Sequence, residues 1–369
     1  MKIGIVSTWA ARCGICTYSL YLAEELKKLG LDVVILAEKK DVLPDGADPD
    51  FETHGIPSIE CWSRYENFEK LLEVVQKEKI DIIHCQHQFG LFPIAPTLNY
   101  LLSNLKAMGK KVIVTLHDVV PYNFGMLDYF HPLITLPDYI IVHNEPSKRL
   151  LVTDWMCSPE KVVKIWHGTK LVDIPEKDDA KTSLKISVDT KVILSWGFLW
   201  ESKGVLPMLE GYSQIIKKYP KSMFIHAGGL HPLYKDTGYV KKLIATAMKL
   251  GIRPENFRIT GFVPEKQVPT YFGAADVIVL NYHRGSISAS GAAHRALAAH
   301  RPIVGTDDLA IEEIPRYVVN RGDTQGLFQG ILKVLDDPAL QKELVEKADK
   351  FAEESSWARI ALEHQKLYI

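Results

Sequence analysis

Short, β-branched, almost wholly apolar runs alternate along this chain with longer stretches whose apolar residues recur every three or four positions. The first pattern predicts strands and the second amphipathic helices. In the first half, strands are expected at Lys2–Ser7, Asp32–Leu36, Ile80–Cys85, Lys111–Leu116, Tyr139–Val142 and Val162–Ile165. Helices are expected between them near Tyr18–Leu29, Asn67–Gln76, Pro96–Met108 and Ser147–Thr153. The strands are apolar at consecutive rather than alternate positions, as in parallel sheets covered on both faces. The segment Leu171–Thr190 breaks the pattern: it is rich in Asp, Glu and Lys and carries Pro175, so it is expected to be a linker. The alternation then restarts. Strands are expected at Lys191–Ser195, Ser222–Ala227, Phe257–Thr260, Asp276–Leu280 and Pro302–Gly305, with helices at Pro207–Tyr219, Tyr239–Leu250, Pro269–Gly273, Ala292–Ala299 and Thr324–Asp336.

Two successive series of this kind predict an α/β protein of two Rossmann-like domains, over residues 1–170 and 191–355, facing across a cleft. A length of 369 residues fits that division, since single cores stop growing near ~250 residues. Lys plus Arg number 44 and Asp plus Glu 45, a net charge of −1. This excludes the large basic field of a protein whose partner is a nucleic acid. No apolar run approaches the ~20 residues of a membrane span, so any membrane contact would be peripheral. The chain opens directly into a strand without a signal-peptide pattern, and five scattered cysteines make no disulfide framework. A cytoplasmic protein is expected.

Ligands of such sheets bind beyond the carboxyl ends of the strands, which directs attention to the residues after each strand. The first such loop, Trp9–Ile15, holds Gly14, which reads equally as a plain tight turn or as a close approach to an anion at a helix start. Within it, Cys13-Gly14-Ile15-Cys16 is a C-x-x-C without a second pair; core packing of Cys16 is the simpler reading beside redox or zinc chemistry. His84, His87, His117, His143 and His167 lie at successive strand ends. Such a set could bind a metal or hydrogen-bond a polyhydroxylated ligand, or be structural one by one. In the second half, Gly197 through Gly204 encloses Lys203, a charge beside backbone donors suited to phosphate, although Gly-Lys-Ser/Thr is absent. Ser286–Ala293 (SISASGAA) offers hydroxyls and small residues where a helix opens, and Ser290 reads either as an N-cap alone or as cap and phosphate contact.

Taken in order, these pieces resemble the large group 1 family of retaining, nucleotide-sugar-dependent glycosyltransferases with the GT-B fold. The resemblance is carried by Ile3–Ala23 with Cys13-Gly14-Ile15, Val114–Asp118 (VTLHD), Val142–Glu145 (VHNE) and Gly197…Lys203-Gly204. It continues through Ile259–Pro264 (ITGFVP), Ala274–Leu280, Ala296–Asp307, Asp336-Asp337-Pro338 and Ser355-Ser356-Trp357. It implies an acceptor-binding first domain completed by a C-terminal helix over residues 356–369, and a second domain that binds the nucleotide sugar. It further implies transfer of a sugar from a UDP- or GDP-linked donor to a sugar, glycan or lipid-linked acceptor, with the nucleotide sugar as substrate and neither cofactor nor metal. On the same ground His117 and Lys203 are the expected catalytic residues, Lys203 neutralising the diphosphate and His117 lying by the transferred sugar. Gly14, Gly197, Gly261, Phe262, Val263, Ser288, Ser290, Gly291, Ala292 and Arg295 are the expected substrate contacts.

The chain departs from the family at three places. The usual Glu-x7-Glu positions hold Ile287 and Arg295, and the arginine after Gly197 is replaced by Phe198. The SISASG segment looks like a Ser-Gly variant in which hydroxyl and amide donors replace the acid, and Arg295 or Arg284 is the candidate second cation. The lost acids oppose a sugar-nucleotide epimerase, and with Phe198 they make a non-catalytic binding descendant, or a subunit of a partner transferase, the alternative reading.

Overall fold

The computed structural model describes residues 1–43, 46–230, 237–283 and 287–369. Two compact units are present: Met1–Gly168 with Ser355–Ile369 in the first, Thr169–Gly285 with Ser290–Glu354 in the second. The first contains β1 (Lys2–Ser7), β2 (Asp32–Glu38), β3 (Ser58–Trp62), β4 (Ile82–His87), β5 (Lys111–Leu116), β6 (Asp118–Val119), β7 (Tyr139–Val142) and β8 (Val162–Lys164). Seven of these form one sheet in the order β3-β2-β1-β4-β5-β7-β8, all neighbours parallel. Helices α1 (Gly14–Lys28), α2 (Glu69–Lys77), α3 (Ala95–Ala107), α4 (Leu127–Thr135) and α5 (Glu145–Thr153) cover it. The unbroken apolar strands have a direct cause in the two cores. Val34 and Leu36 of β2 pack into one layer with Leu71, Leu101 and Leu133. Val33 and Ile35 of the same strand pack into the other with Leu22, Trp357 and Ile360.

The second unit begins with α6 (Lys177–Ser183) and carries β9 (Lys191–Trp196), β10 (Ser222–Ala227), β11 (Phe257–Ile259), β12 (Val277–Leu280), β14 (Ile303–Thr306) and β15 (Tyr317–Val319). Their order is β11-β10-β9-β12-β14-β15, again parallel throughout. Helices α7 (Val205–Lys218), α8 (Thr237–Lys249), α9 (Val268–Ala274), α10 (Gly291–Leu297), α11 (Thr324–Asp336) and α12 (Pro338–Glu354) complete it. The two-residue β13 (Ile287–Ser288) pairs antiparallel with β6 and counts with the first unit. So does the last helix, α13 (Trp357–Tyr368). Its Trp357 is 3% exposed and lies where a side chain on Gly168 would stand, a Cβ there falling 2.1 Å from the indole.

The segment expected to link the domains, 171–190, is instead part of the second unit, which begins at Thr169. Two of its lysines are used internally. Asp276, just before β12, accepts Lys181 Nζ at 3.0 Å, Lys177 Nζ at 3.2 Å and the Val192 amide at 2.9 Å. Lys181 is 2% exposed and also donates to the carbonyls of Val188 and Thr190. Among the described residues, no helix is long and apolar enough to cross a membrane.

Candidate functional site

In each sheet the strand order reverses once, between β1 and β4 and between β9 and β12. The crevice at such a reversal is where open α/β sheets bind ligands. In the second unit the backbone there is lined by glycines. Gly197, directly after β9, has φ +117, and a Cβ on Gly228, after β10, would fall 1.7 Å from the Gly197 carbonyl oxygen. A Cβ on Gly229 would fall 2.8 Å from the Phe262 amide. Three strand ends therefore meet as bare backbone. Gly261 has φ +74 and open space around it, Phe262 is 39% exposed, and Val263 is buried in the core. Gly228 and Gly229 were missed by sequence reasoning, although two glycines after a predicted strand were a readable signal.

Lys203 ends a short helical turn that the segment after β12 clamps from one side. Asn281 Nδ2 donates to the Gly204 carbonyl at 2.8 Å, and the His283 amide donates to the Ser202 carbonyl at 2.8 Å. Gly204 is left-handed (φ +60), and a Cβ there would lie 2.3 Å from the Asn281 carbonyl oxygen. The ammonium of Lys203 sits 3.7 Å from the ring centroid of Tyr282, a cation–π contact that fixes its position. Tyr282 is 2% exposed, its amide donates to Thr306 Oγ1 at 2.9 Å, and its hydroxyl lies 2.7 Å from Ser290 Oγ. Nearby His226 is fully buried, and burial with the neighbouring Lys203 charge pushes its pKa down to about 3. Tyr282 holds Lys203 and Ser290 in place and was also missed; its only sequence signal is its place two residues after β12.

Ser290 is the N-cap of α10, its Oγ accepting the Ala293 amide at 3.3 Å. Its hydroxyl thus has two protein partners, which favours the capping reading. Gly291 and Ala292 open the helix half-buried, and the Ala292 methyl lies 3.3 Å from where a Cβ on Gly197 would stand. Ser288 is described by its backbone alone, paired with Asp118. Arg295, considered above as a second cation, forms an ion pair with Glu265 at 2.7 Å, because it projects from α10 toward the turn preceding α9. Arg284 and Ser286 lie outside the described residues.

All five strand-end histidines of the first unit hydrogen-bond to the protein, the structural reading among those the sequence left open. His84 and His87 are fully buried and His143 is 2% exposed; they stand inside the carboxyl edge of the sheet and hydrogen-bond to the protein. His87 Nε2 lies 2.9 Å from the Tyr129 hydroxyl, and burial pushes its pKa down to about 3. His167 bonds the Gly168 carbonyl. His117, half-buried after β5, has Nε2 2.9 Å from the Gln86 side chain and Nδ1 3.3 Å from His143 Nε2. Burial, reinforced by His143, His167, His87 and His84, holds its pKa well below the ordinary value. The ring of Tyr18 from α1 stands edge-on to it at 4.8 Å. Among the described residues no three histidines, cysteines or carboxylates are arranged to hold a metal ion.

Gly14 opens α1 exposed, with empty space around its Cα, so nothing in its own unit requires a glycine there. Cys16 packs in the core with its thiol pKa pushed up by burial, which removes it from thiolate chemistry.

Comparisons with known proteins agree with this geometry. The family profile of Glycosyltransferase Family 4 matches residues 13–172, and that of Glycosyl transferases group 1 matches residues 190–337. An uncharacterized glycosyltransferase of Methanocaldococcus jannaschii is 24% identical over all of this chain and 98% of its own. The alpha-monoglucosyldiacylglycerol synthase of Streptococcus pneumoniae is 25% identical over 76% of this chain and 65% of its own. Among solved structures, Anabaena HepE in complex with UDP superposes with a TM-score of 0.79 at 16% identity, covering 100% of this chain and 99% of that one. Sucrose-phosphate synthase from Thermosynechococcus elongatus gives 0.78 at 19% identity, covering 100% and 98%. With both profiles satisfied in order and both Rossmann-like sheets present, the chain belongs to the group 1 glycosyltransferases of the GT-B fold.

Proposed function

We propose that this protein transfers a sugar, with retention of anomeric configuration, from a UDP- or GDP-linked donor to a sugar, glycan or lipid-linked acceptor. The observation that carries the reading is the Lys203 ammonium held over Tyr282 beside the bare backbone of Gly197, Gly228 and Gly229. A nucleoside diphosphate needs a fixed cation and a surface that it can approach closely, and this crevice supplies both. Solved neighbours hold UDP and UDP-glucose, which supports the same class of donor. Lys203 stabilises the departing diphosphate, where the charge of the reaction develops. His117 serves the sugar side as a neutral ring, since positive charge grows on the sugar and an imidazolium would oppose it. Neither role requires a metal or a cofactor. Gly14, Gly261, Phe262 and the amides of Gly291 and Ala292 are the remaining donor contacts in this reading. The acceptor is assigned to the first unit and the reaction to the cytoplasm.

The engagement of Ser290 with Tyr282 and of Arg295 with Glu265 favours a second reading, a binding descendant without turnover. One experiment separates them. Thermal shift with UDP and GDP identifies the nucleotide, a ligand at a hundred times its dissociation constant adding about 2.7 kcal/mol. Hydrolysis of the matching glucose-linked donor without acceptor is then measured. A shift with slow hydrolysis supports the enzyme, a shift without hydrolysis supports the descendant, and no shift with either nucleotide refutes both.

A further inference from the structure

A continuous chain of hydrogen bonds runs along the carboxyl edge of the first sheet, with members in or just after the four adjacent strands β4, β5, β7 and β8. His84 and Gln86 come from β4, His117 follows β5, His143 follows β7, and the Ile165 carbonyl follows β8. Tyr368 of α13 closes the other end, its hydroxyl 2.7 Å from His84 Nδ1. His84 Nε2 also lies 2.7 Å from Thr115 Oγ1. Gln86 and His84 are fully buried, so each of their polar atoms requires a partner inside the protein.

Proton accounting orders this chain from its fixed end. A carbonyl oxygen can only accept, so the 3.0 Å contact with Ile165 places a proton on His143 Nδ1. A neutral His143 then presents a lone pair at Nε2. The only proton that can lie between the two rings is therefore on His117 Nδ1, which leaves a lone pair on His117 Nε2. That lone pair needs a donor, and Gln86 is the residue 2.9 Å away. The side-chain oxygen of Gln86 faces His117 as placed, but the two ends of a carboxamide are nearly isosteric and proton accounting decides between them. With the amide nitrogen toward His117, the oxygen faces His84 Nε2, which carries its own proton, and His84 Nδ1 accepts from Tyr368. Every member is then satisfied and every ring is neutral. With the amide as placed, the chain closes only if His117 carries a second proton or His143, 2% exposed, becomes a buried cation. Burial and the neighbouring rings of His143, His167, His87 and His84 oppose the charge on His117.

We infer that Gln86 and His143 are positioning residues that lock His117 as the neutral Nδ1–H tautomer, with its lone pair at Nε2 committed to the Gln86 amide. This rests on the assignment of His117 to the sugar side and deepens it: the chain keeps positive charge off the ring where positive charge develops on the substrate. Tyr18 from α1, whose ring stands edge-on, adds no charge of its own, and the nearest carboxylate in sequence, Asp118, accepts a hydrogen bond from Gln88 at 3.2 Å.

The test reads the proton directly and needs no donor. The full chain, labelled with nitrogen-15 at histidine, is examined by long-range proton–nitrogen correlation between pH 6 and 8, with His117→Asn identifying the signal. Wild type is expected to show His117 protonated at Nδ1 and bare at Nε2 throughout. An Nε2–H pattern, or titration within that range, overturns the inference. Gln86→Leu and His143→Phe each remove one partner, and the tautomer ratio is expected to shift toward Nε2–H by about five- to tenfold, the worth of one hydrogen bond. An unchanged ratio in a folded variant overturns it as well. The wild-type measurement stands if either variant fails to fold. Donor hydrolysis on the same samples separates the two claims. A locked tautomer in a protein without turnover refutes the enzyme and leaves the lock, whereas turnover with the opposite tautomer does the reverse.

Discussion

Replacing Lys203 with Met removes the ammonium while keeping most of the side-chain volume. A hydrogen bond from a charged donor contributes about 1.5–3 kcal/mol, so nucleoside diphosphate affinity is expected to fall by about 10- to 150-fold at 1.36 kcal/mol per decade. The cation–π contact with Tyr282, 3.7 Å from nitrogen to ring centroid, is worth about 0.5–2 kcal/mol before ligand arrives. The Tyr282 ring can be separated from its hydroxyl. Tyr282→Phe keeps the ring under Lys203 and loses the bond to Ser290, so stability is expected to drop by about 1 kcal/mol with affinity within about threefold. Tyr282→Leu also removes the ring, and affinity is expected to fall by about 2- to 30-fold as the ammonium loses its fixed place. Calorimetric titration with UDP or GDP at two salt concentrations measures all three variants, and the wild type should show the steeper salt dependence than Lys203→Met. Unchanged affinity in Lys203→Met, or equal losses in the Phe and Leu variants, would refute the reasoning.

Two further outcomes are expected. Gly228→Ala places a Cβ 1.7 Å from the Gly197 carbonyl oxygen, a collision with backbone that cannot be relieved by a rotamer; nucleotide-induced thermal shift should vanish, and a variant that binds normally would show that the loop ends are elsewhere. Stability of the first unit should decline as pH falls below about 6.5, because His87 and His364 have folded pKa values pushed down by burial to about 3 and about 4. The sign follows from linkage: below 6.5 the unfolded chain takes up protons that the folded one refuses, so stabilisation is complete above that pH and lost progressively toward pH 4. Urea unfolding from pH 8 to 4 measures it, and a flat profile would show that these rings are not buried neutral.

Much of the fold was readable because parallel strands covered on both faces leave uninterrupted apolar runs, as Val33–Leu36 of β2 show by feeding both cores. Strand β3 (Ser58–Trp62) was not readable. It lies at the sheet edge with only Cys61 and Trp62 buried, so its sequence carries a polar, half-exposed pattern. Helix α6 was hidden by charge, since a lysine that turns inward to a buried aspartate looks in sequence like one that faces water. The site shows the same limit. Lys203 was found because a basic residue bounded by glycines has few other uses, whereas Tyr282 and Gln86 act through the residues they hold. Their identity alone says nothing about that, and only the distances reveal it.

The absence of the family's acid pair can be understood from the charges that remain. With Ile287 and Arg295 at those positions, no carboxylate is supplied there to stabilise positive charge on the sugar, and Arg295 is already neutralised by Glu265. Among the described residues, the proposed function then rests its electrostatic stabilisation on the cation at Lys203 acting on the leaving diphosphate. The effect on the sugar side must come from withholding charge rather than adding it. A neutral His117, kept neutral by burial and by its neighbours, fits that requirement better than a protonated one, whose field would oppose the developing cation. Under the proposed function, loss of the acids and a neutral His117 answer the same electrostatic requirement. In that proposal stabilisation is concentrated at the leaving group, and the sugar side is kept free of opposing charge.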